Sequence, residues 1–213
     1  MSMNVAVVLV LSLATVVVLL VGFLSTTRRS RTPVPAPTLL GAPVGGPGVV
    51  GADYDDPRTI KVGDTISCHG LRSRVLGATY FSCQGQSWTE FLLDDGTRRY
   101  PRLSVEVRQG PPPAAAPHLE VLTWTEVPTQ GMIPAKSMIS MTGVEFFPIE
   151  RGTASFQSEG RSGFPERGLV DFADYRAVDG RLLSFERLQG RSWTASYAQP
   201  LPPGSIIFIS RAA

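Results

Sequence analysis

Two cysteines and two histidines in 213 residues leave little material for metal or thiol chemistry. A zinc site takes four ligands, commonly in paired Cys-x-x-Cys or His-x-x-x-His steps. Cys68, His69, Cys83 and His118 offer no such pairing, and the default reading is ordinary strand cysteines. The same scarcity of His leaves few ways to assemble a Ser-His-Asp relay, and no Gly-x-Ser-x-Gly elbow occurs. "GAPVGGPGVVG" has the glycines of a phosphate loop without its Lys-Ser/Thr or the flanking strand and helix. Removing three juxtamembrane arginines and three tether aspartates from the 20 basic and 18 acidic residues leaves 17 and 15, well mixed. No basic stripe with interleaved aromatics emerges, which argues against nucleic acid. Together these absences predict a protein that is not an enzyme and carries no metal and no cofactor.

What the chain does have begins at its N-terminus. Val5–Leu24, "VAVVLVLSLATVVVLLVGFL", holds no charge and fifteen Val, Leu or Phe side chains in twenty positions. Twenty helical residues at about 1.5 Å each cross the roughly 30 Å hydrocarbon core. A cleavable signal peptide fits less well, because "MSMN" carries no Lys or Arg and no Ala-x-Ala follows. A single transmembrane helix within an anchor over 1–27 is therefore expected. Arg28, Arg29 and Arg31 place the remainder in the cytoplasm by the positive-inside rule, at the cell membrane. That compartment argues against a disulfide. Residues 28–57 are dense in Pro and Gly and read as a tether.

From Arg58 the texture becomes short β-branched and aromatic runs separated by turn residues. Strands are expected over Thr59–Ser67, Arg72–Ser82, Ser87–Gly96 and Arg98–Arg108. Pro101 makes the fourth of these either an edge strand or one that begins after the proline. A Pro-rich joint, 111–117, then divides the β domain, 58–213, into possible halves 58–110 and 118–213. Further strands are expected over Leu119–Val127, Lys136–Ile149, Thr153–Glu159, Arg167–Val178, Arg181–Gln189, Ser192–Ala198 and Ser205–Ser210. Beyond Arg58 no helical period of ten or more residues is sustained. The predicted class is all-β: antiparallel hairpins or a meander forming a sandwich or a partly open barrel.

Two near copies stand out, "QGQSWTEF" at Gln84–Phe91 and "QGRSWTAS" at Gln189–Ser196. Either a unit of about 105 residues is duplicated, or Gly-x-Ser-Trp is a favourable entry from a turn into a strand. Counting in twos, Trp88, Glu90 and Leu92 share one face, and Thr89, Phe91 and Leu93 the other, as in a central strand. In the second copy Trp193, Ala195 and Tyr197 share a face opposite the small polar face of Thr194, Ser196 and Ala198, as in a half-exposed strand.

Ile60–Glu106 and Asp171–Ile206 resemble the bacterial domain of unknown function 4178 family. The likeness is carried by Val62, Gly63, Asp64, Val75, Gly77, Trp88, Glu90, Phe91, Leu92 and Leu103, and downstream by Asp174, Tyr175, Gly180, Leu183, Ser184 and Glu186. The chain departs from the family pattern in "YPRLSVE", where an aromatic-Leu pair is common. The resemblance implies an all-β domain of unassigned activity, often membrane-linked and sometimes encoded near polyamine aminopropyltransferase-like and small membrane proteins.

Glu90 and Glu186 are the chemical candidates, since each alternates with apolar neighbours. A carboxylate on an apolar face must be paired, hydrogen-bonded or shifted in pKa. Structural pairing with Arg98, Arg99 or Arg181 is one reading. Binding of a cationic ligand by Trp88, Glu90, Glu186 and Trp193, with a tryptophan ring beside each carboxylate, is the other. The expected function is a membrane-anchored binding or scaffolding module on the cytoplasmic face. Its partners are then the bilayer, through residues 5–24, and other membrane proteins. The alternatives are a sensor for a small cationic metabolite such as a polyamine, and an extracytoplasmic envelope protein.

Overall fold

A computed structural model describes residues 54–97, 99–109, 117–129, 131–134 and 137–212, and the backbone of 42–43. The apolar stretch Val5–Leu24, Arg28–Arg31 and most of the expected tether lie outside the described residues. Among those residues no helix is long and apolar enough to cross a membrane.

Among the described residues there are twelve strands, with one 3-10 turn at Pro57–Thr59 between the first and second: β1 (Ala42–Pro43), β2 (Thr65–Cys68), β3 (Leu71–Cys83), β4 (Gln86–Asp94), β5 (Arg102–Arg108), β6 (His118–Val127), β7 (Ile139–Met141), β8 (Val144–Gly160), β9 (Arg167–Ala177), β10 (Leu182–Leu188), β11 (Thr194–Pro200) and β12 (Ile206–Ser210). Eight of them close on themselves in the order β3-β4-β5-β6-β11-β10-β9-β8, with β8 returning to β3. Every pairing is antiparallel. The expected sandwich or partly open barrel is thus a closed eight-stranded barrel. Strands on both sides of the Pro-rich joint share that one sheet. β2 and β12 extend it from the start of β3, β7 pairs with the start of β8, and β1 pairs with His118 and Leu119 of β6.

Local chemistry explains most boundaries. β5 begins after Pro101, as the missing donor requires, yet it lies between β4 and β6 and is not an edge. His69-Gly70, Gln84-Gly85 and Thr142-Gly143 each place two consecutive residues at positive φ, the signature of a two-residue type I′ hairpin. The β10–β11 connection is longer, and there only Gly190 is left-handed. The two Gly-x-Ser-Trp copies therefore enter their strands by different turns. Trp88 lies within β4, whereas Trp193 precedes β11.

The seam of the barrel depends on two glycines. A bulge at Leu76 marks the point where one edge of β3 changes partner from β2 to β8. Gly77 pairs there with Gly160, which has φ +64°. A Cβ on Gly77 would lie 2.4 Å from the backbone of Arg161 and Ser162, and one on Gly160 would lie 2.7 Å from the Leu76 carbonyl oxygen. Only glycine permits that approach.

The two faces of the closed sheet differ in character, and the outer one is covered only in part, with Tyr80 and Leu169 left exposed. Outside, Ile66, Val75, Phe91, Leu93, Leu103, Val121 and Ile206 form one apolar cluster that includes β2 and β12. Leu183, Phe185, Tyr175 and Ala195 form another with Ile139, Met141 and Phe146. Inside, Phe81, Phe156, Val170 and Phe172 occupy part of the lumen, and charge occupies much of the rest. β11 is accordingly not half exposed: Ser196 and Ala198 are buried toward the lumen and Ala195 toward the outer cluster. An open edge on one side would leave such a strand wet, and closure removes it.

Candidate functional site

The lumen is defined by side chains that touch across it. Arg102 on β5 reaches Glu186 on β10, Arg108 on β5 reaches Glu150 on β8, and Arg176 on β9 reaches Glu120 on β6. None of these strand pairs is adjacent in the sheet. In β5, "RLSVEVR", Leu103 and Val105 point outward into the apolar cluster, so the period of two aims Arg102, Ser104, Glu106 and Arg108 inward.

Arg102 organises one end. Its Nη1 donates to Glu90 Oε2 at 3.0 Å and Glu186 Oε2 at 2.7 Å, and its Nη2 donates to Ser196 Oγ at 3.0 Å. Burial works against the guanidinium charge, but Glu186 and Glu90 outweigh it and hold the proton more tightly than usual. Arg108 organises the other end, contacting Glu106 at 2.9 Å and Glu120 and Glu150 at 3.1 Å each. Arg176 reaches the second oxygen of Glu120 at 3.3 Å. Between the ends, Ser184 hydrogen-bonds Asp174, and the Trp124 indole N–H donates to Ser104 at 2.8 Å.

Among the described residues this lumen brings together six carboxyls, Glu90, Glu106, Glu120, Glu150, Asp174 and Glu186, and three guanidiniums, Arg102, Arg108 and Arg176. Three of the carboxyls hold protons near neutrality. Burial raises Glu90 to about 7, opposed by Arg102 and reinforced by Glu186 and Asp174. Burial likewise raises Glu106 to about 7 against the pull of Arg108. Asp174 is raised to about 7 by burial against its Ser184 hydrogen bond, with Glu186 adding to the rise.

The site includes two adjoining spaces. An inner cavity of about 40 Å³ is lined by Trp88, Glu90, Phe172, Asp174, Ser184 and Glu186 among others. A wide cleft of about 1140 Å³ opens at the mouth, with Tyr100, Arg102, Glu126 and Phe164 on its walls. Trp124 and Glu186 belong to both, so the Arg102–Glu186 pair stands at the boundary.

Three of the four sequence candidates converge here. Glu90 and Glu186 share Arg102 rather than any of the arginines expected. Arg181 pairs with Asp179 at 2.7 Å, Arg99 lines the mouth cleft, and Arg98 lies outside the described residues. Trp88 stacks on Phe81 at 5.0 Å, meets Phe172 edge-on at 5.7 Å and hydrogen-bonds Glu90. Trp193 is elsewhere: it packs against the outer cluster under the Arg187 guanidinium, 4.6 Å from its ring. The sequence reading passed over Arg102, Glu106, Arg108 and Glu120, although the strict alternation in "RLSVEVR" and "HLEVLTW" carries the signal. Cys68 and Cys83 are free and buried in different clusters, and His69 is a turn residue. No group of metal-ligating side chains is assembled among the described residues.

Closed barrel, apolar exterior seams and a lumen of salt-bridged carboxylates define a barrel whose chemistry is turned inward. Residues 61–203 match the family described as Domain of unknown function (DUF4178), and the chain belongs to that family. It is 31% identical over 137 residues to the uncharacterized protein Rv2597 of Mycobacterium tuberculosis and, to the same degree, to the uncharacterized protein Mb2628 of Mycobacterium bovis. The match covers 62% of this chain and 62% of each relative, so the chain spans somewhat under two thirds of those proteins. No solved structure matches it. Of the residues that carry the resemblance, Trp88, Glu90, Asp174, Ser184 and Glu186 all line the inner cavity.

Proposed function

We propose that the barrel binds a small organic cation of the polyamine kind, on a chain held at the cytoplasmic face of the cell membrane by its N-terminal helix. The observation that carries this reading is the imbalance of six carboxyls against three guanidiniums in an enclosed lumen. Eight-stranded barrels are wide enough to fill with side chains or to hold one small ligand. An arriving cation replaces protons on the raised carboxyls, so binding releases protons and strengthens as pH rises from 6 to 8. Trp88 and Trp124 supply ring faces beside the carboxylates. The anchor follows from the uncharged Val5–Leu24 stretch and the arginines after it.

Titration of the full-length chain in detergent with putrescine and spermidine, followed by tryptophan fluorescence at pH 6 and pH 8, tests the idea. Saturable change at submillimolar ligand, tighter at pH 8, is expected; a flat response through the millimolar range sinks it. A second reading, a scaffold for membrane proteins, is favoured by β12, which ends the sheet path and exposes Ile207 and Ile209. A photo-crosslinker at position 209 that captures no membrane protein in native membranes ends that reading.

A further inference from the structure

Two buried polar atoms among the described residues have no hydrogen-bond partner, His118 Nε2 and Asp174 Oδ1. The second lies on the wall of the inner cavity. Native interiors rarely leave such an acceptor empty, because the cost of desolvation is then uncompensated. Ser184 serves the Asp174 carboxyl, and the groups that face it are otherwise unhelpful. Glu186 from β10, Glu150 from β8, Glu90 from β4 and Glu106 from β5 all interact with it as like charges. The favourable cation is Arg108, which is already held by Glu106, Glu120 and Glu150.

Shape narrows what can supply the missing donor. A space of about 40 Å³ has room for roughly three water-sized groups at ~10–15 Å³ each. Trp88 and Phe172 stand edge to face on its wall, and Glu186 and Trp124 are the walls it shares with the mouth cleft. A quaternary ammonium has no N–H to give Oδ1 and is too broad. A primary ammonium is compact, offers three donors, and can follow an unbranched chain inward.

We infer that Asp174 anchors the terminal ammonium of a slim primary amine, whose unbranched chain leaves past Glu186 and Trp124 into the mouth cleft. This rests on the cation-binding reading above and narrows it to one head group and one anchor. Glu90 and Glu186 then flank the chain, and Ser184 fixes the anchoring carboxylate.

The test is calorimetric titration of the full-length chain in detergent with n-butylammonium, putrescine and tetramethylammonium at pH 7.5. Wild type is expected to bind the first two and to ignore the third. D174N, checked for its fold by circular dichroism, is expected to weaken butylammonium by at least about tenfold, the loss of one charged hydrogen bond. E159Q, at the exposed Tyr80–Glu159 hydrogen bond and on the wall of neither space, is expected to change binding less than threefold. Unaltered affinity in D174N overturns the anchor and leaves the cation reading standing, whereas silence from every amine removes both. Equal affinity for tetramethylammonium overturns the head-group assignment. If D174N fails to fold, S184A, which removes the hydrogen bond that fixes the Asp174 carboxyl, takes its place: weaker butylammonium binding with the fold intact supports the anchor, and unaltered affinity overturns it.

Discussion

Replacing Arg102 by Met removes the one cation between two buried carboxylates while keeping much of the side-chain volume. Glu90 and Glu186 lose contacts of 3.0 and 2.7 Å, and Ser196 loses its donor. Breaking a buried pair by deleting one partner costs about 3–5 kcal/mol, because the charge left behind is uncompensated. For a domain of this size that lowers Tm by about 6–20 °C. The pH dependence carries a second, independent expectation. In the wild type the folded chain holds the Glu90 proton up to about 7, against an ordinary 4.5. A raised carboxyl stabilises the fold least when ionised, so this contribution falls as pH climbs from about 4.5 and levels off above 7. Without Arg102 the folded value moves higher still, and the decline continues where the wild type has levelled. The two stability curves should therefore diverge above pH 7, by up to about 1.4 kcal/mol per pH unit. Urea unfolding followed by tryptophan fluorescence at pH 6 and pH 8.5 measures this, and R102M/E186Q should recover part of the loss. A variant as stable as wild type at pH 8.5, or a deficit that does not grow with pH, would refute the electrostatic account of the lumen.

D174N should gain stability over wild type as pH rises from 5 to 8, by up to about 2.7 kcal/mol, since Asp174 titrates near 7 in the fold against 3.8 ordinarily; equal differences at both pH values in urea unfolding would contradict it. G77A should unfold the barrel or lower Tm by more than 10 °C, because the added Cβ meets backbone at 2.4 Å; a near-native melting curve would show that the seam can yield. Cys68 and Cys83 should resist thiol reagents until denaturant is added, and should not crosslink to each other under mild oxidation, because they are buried in separate clusters and burial raises the Cys68 thiol; rapid native labelling of both would be the contrary result.

Strand positions were legible because they are written locally, in alternation and turn residues. Nearly every expected run corresponds to an observed strand, and β5 starts where Pro101 requires. The misreadings came from faces and distances. Thr59–Ser67 was expected as a strand, but Asp56 caps a 3-10 turn there and β2 begins only at Thr65. Lys136–Ile149 and Thr153–Glu159 looked like two strands parted by "ERG". They belong largely to one 17-residue strand, bulged at Ile149, whose Glu150 faces the lumen. Glu90 and Glu186 were identifiable as carboxylates needing a partner. Their shared arginine stands 12 residues from one and 84 from the other, a separation no local pattern encodes. Trp193 was placed correctly beside Ala195 and Tyr197, but the period of two cannot say which face becomes the lumen. That assignment follows from closure, which leaves room for only one apolar exterior.

The Gly77–Gly160 seam also orders events in time. Its register joins residues such as Thr79 and Ser158, 79 positions apart, so the ring cannot shut until most of the domain has left the ribosome. Until then β3 to β6 stand as an open meander with one future inner face uncovered. A greasy face in that interval invites association with other nascent chains. This one sets Glu90, Arg102, Ser104, Glu106, Arg108 and Glu120 among Phe81, Trp88 and Trp124, and water can hold that charged part until β8 arrives. The charge buried in the finished barrel is thus a face that tolerated waiting.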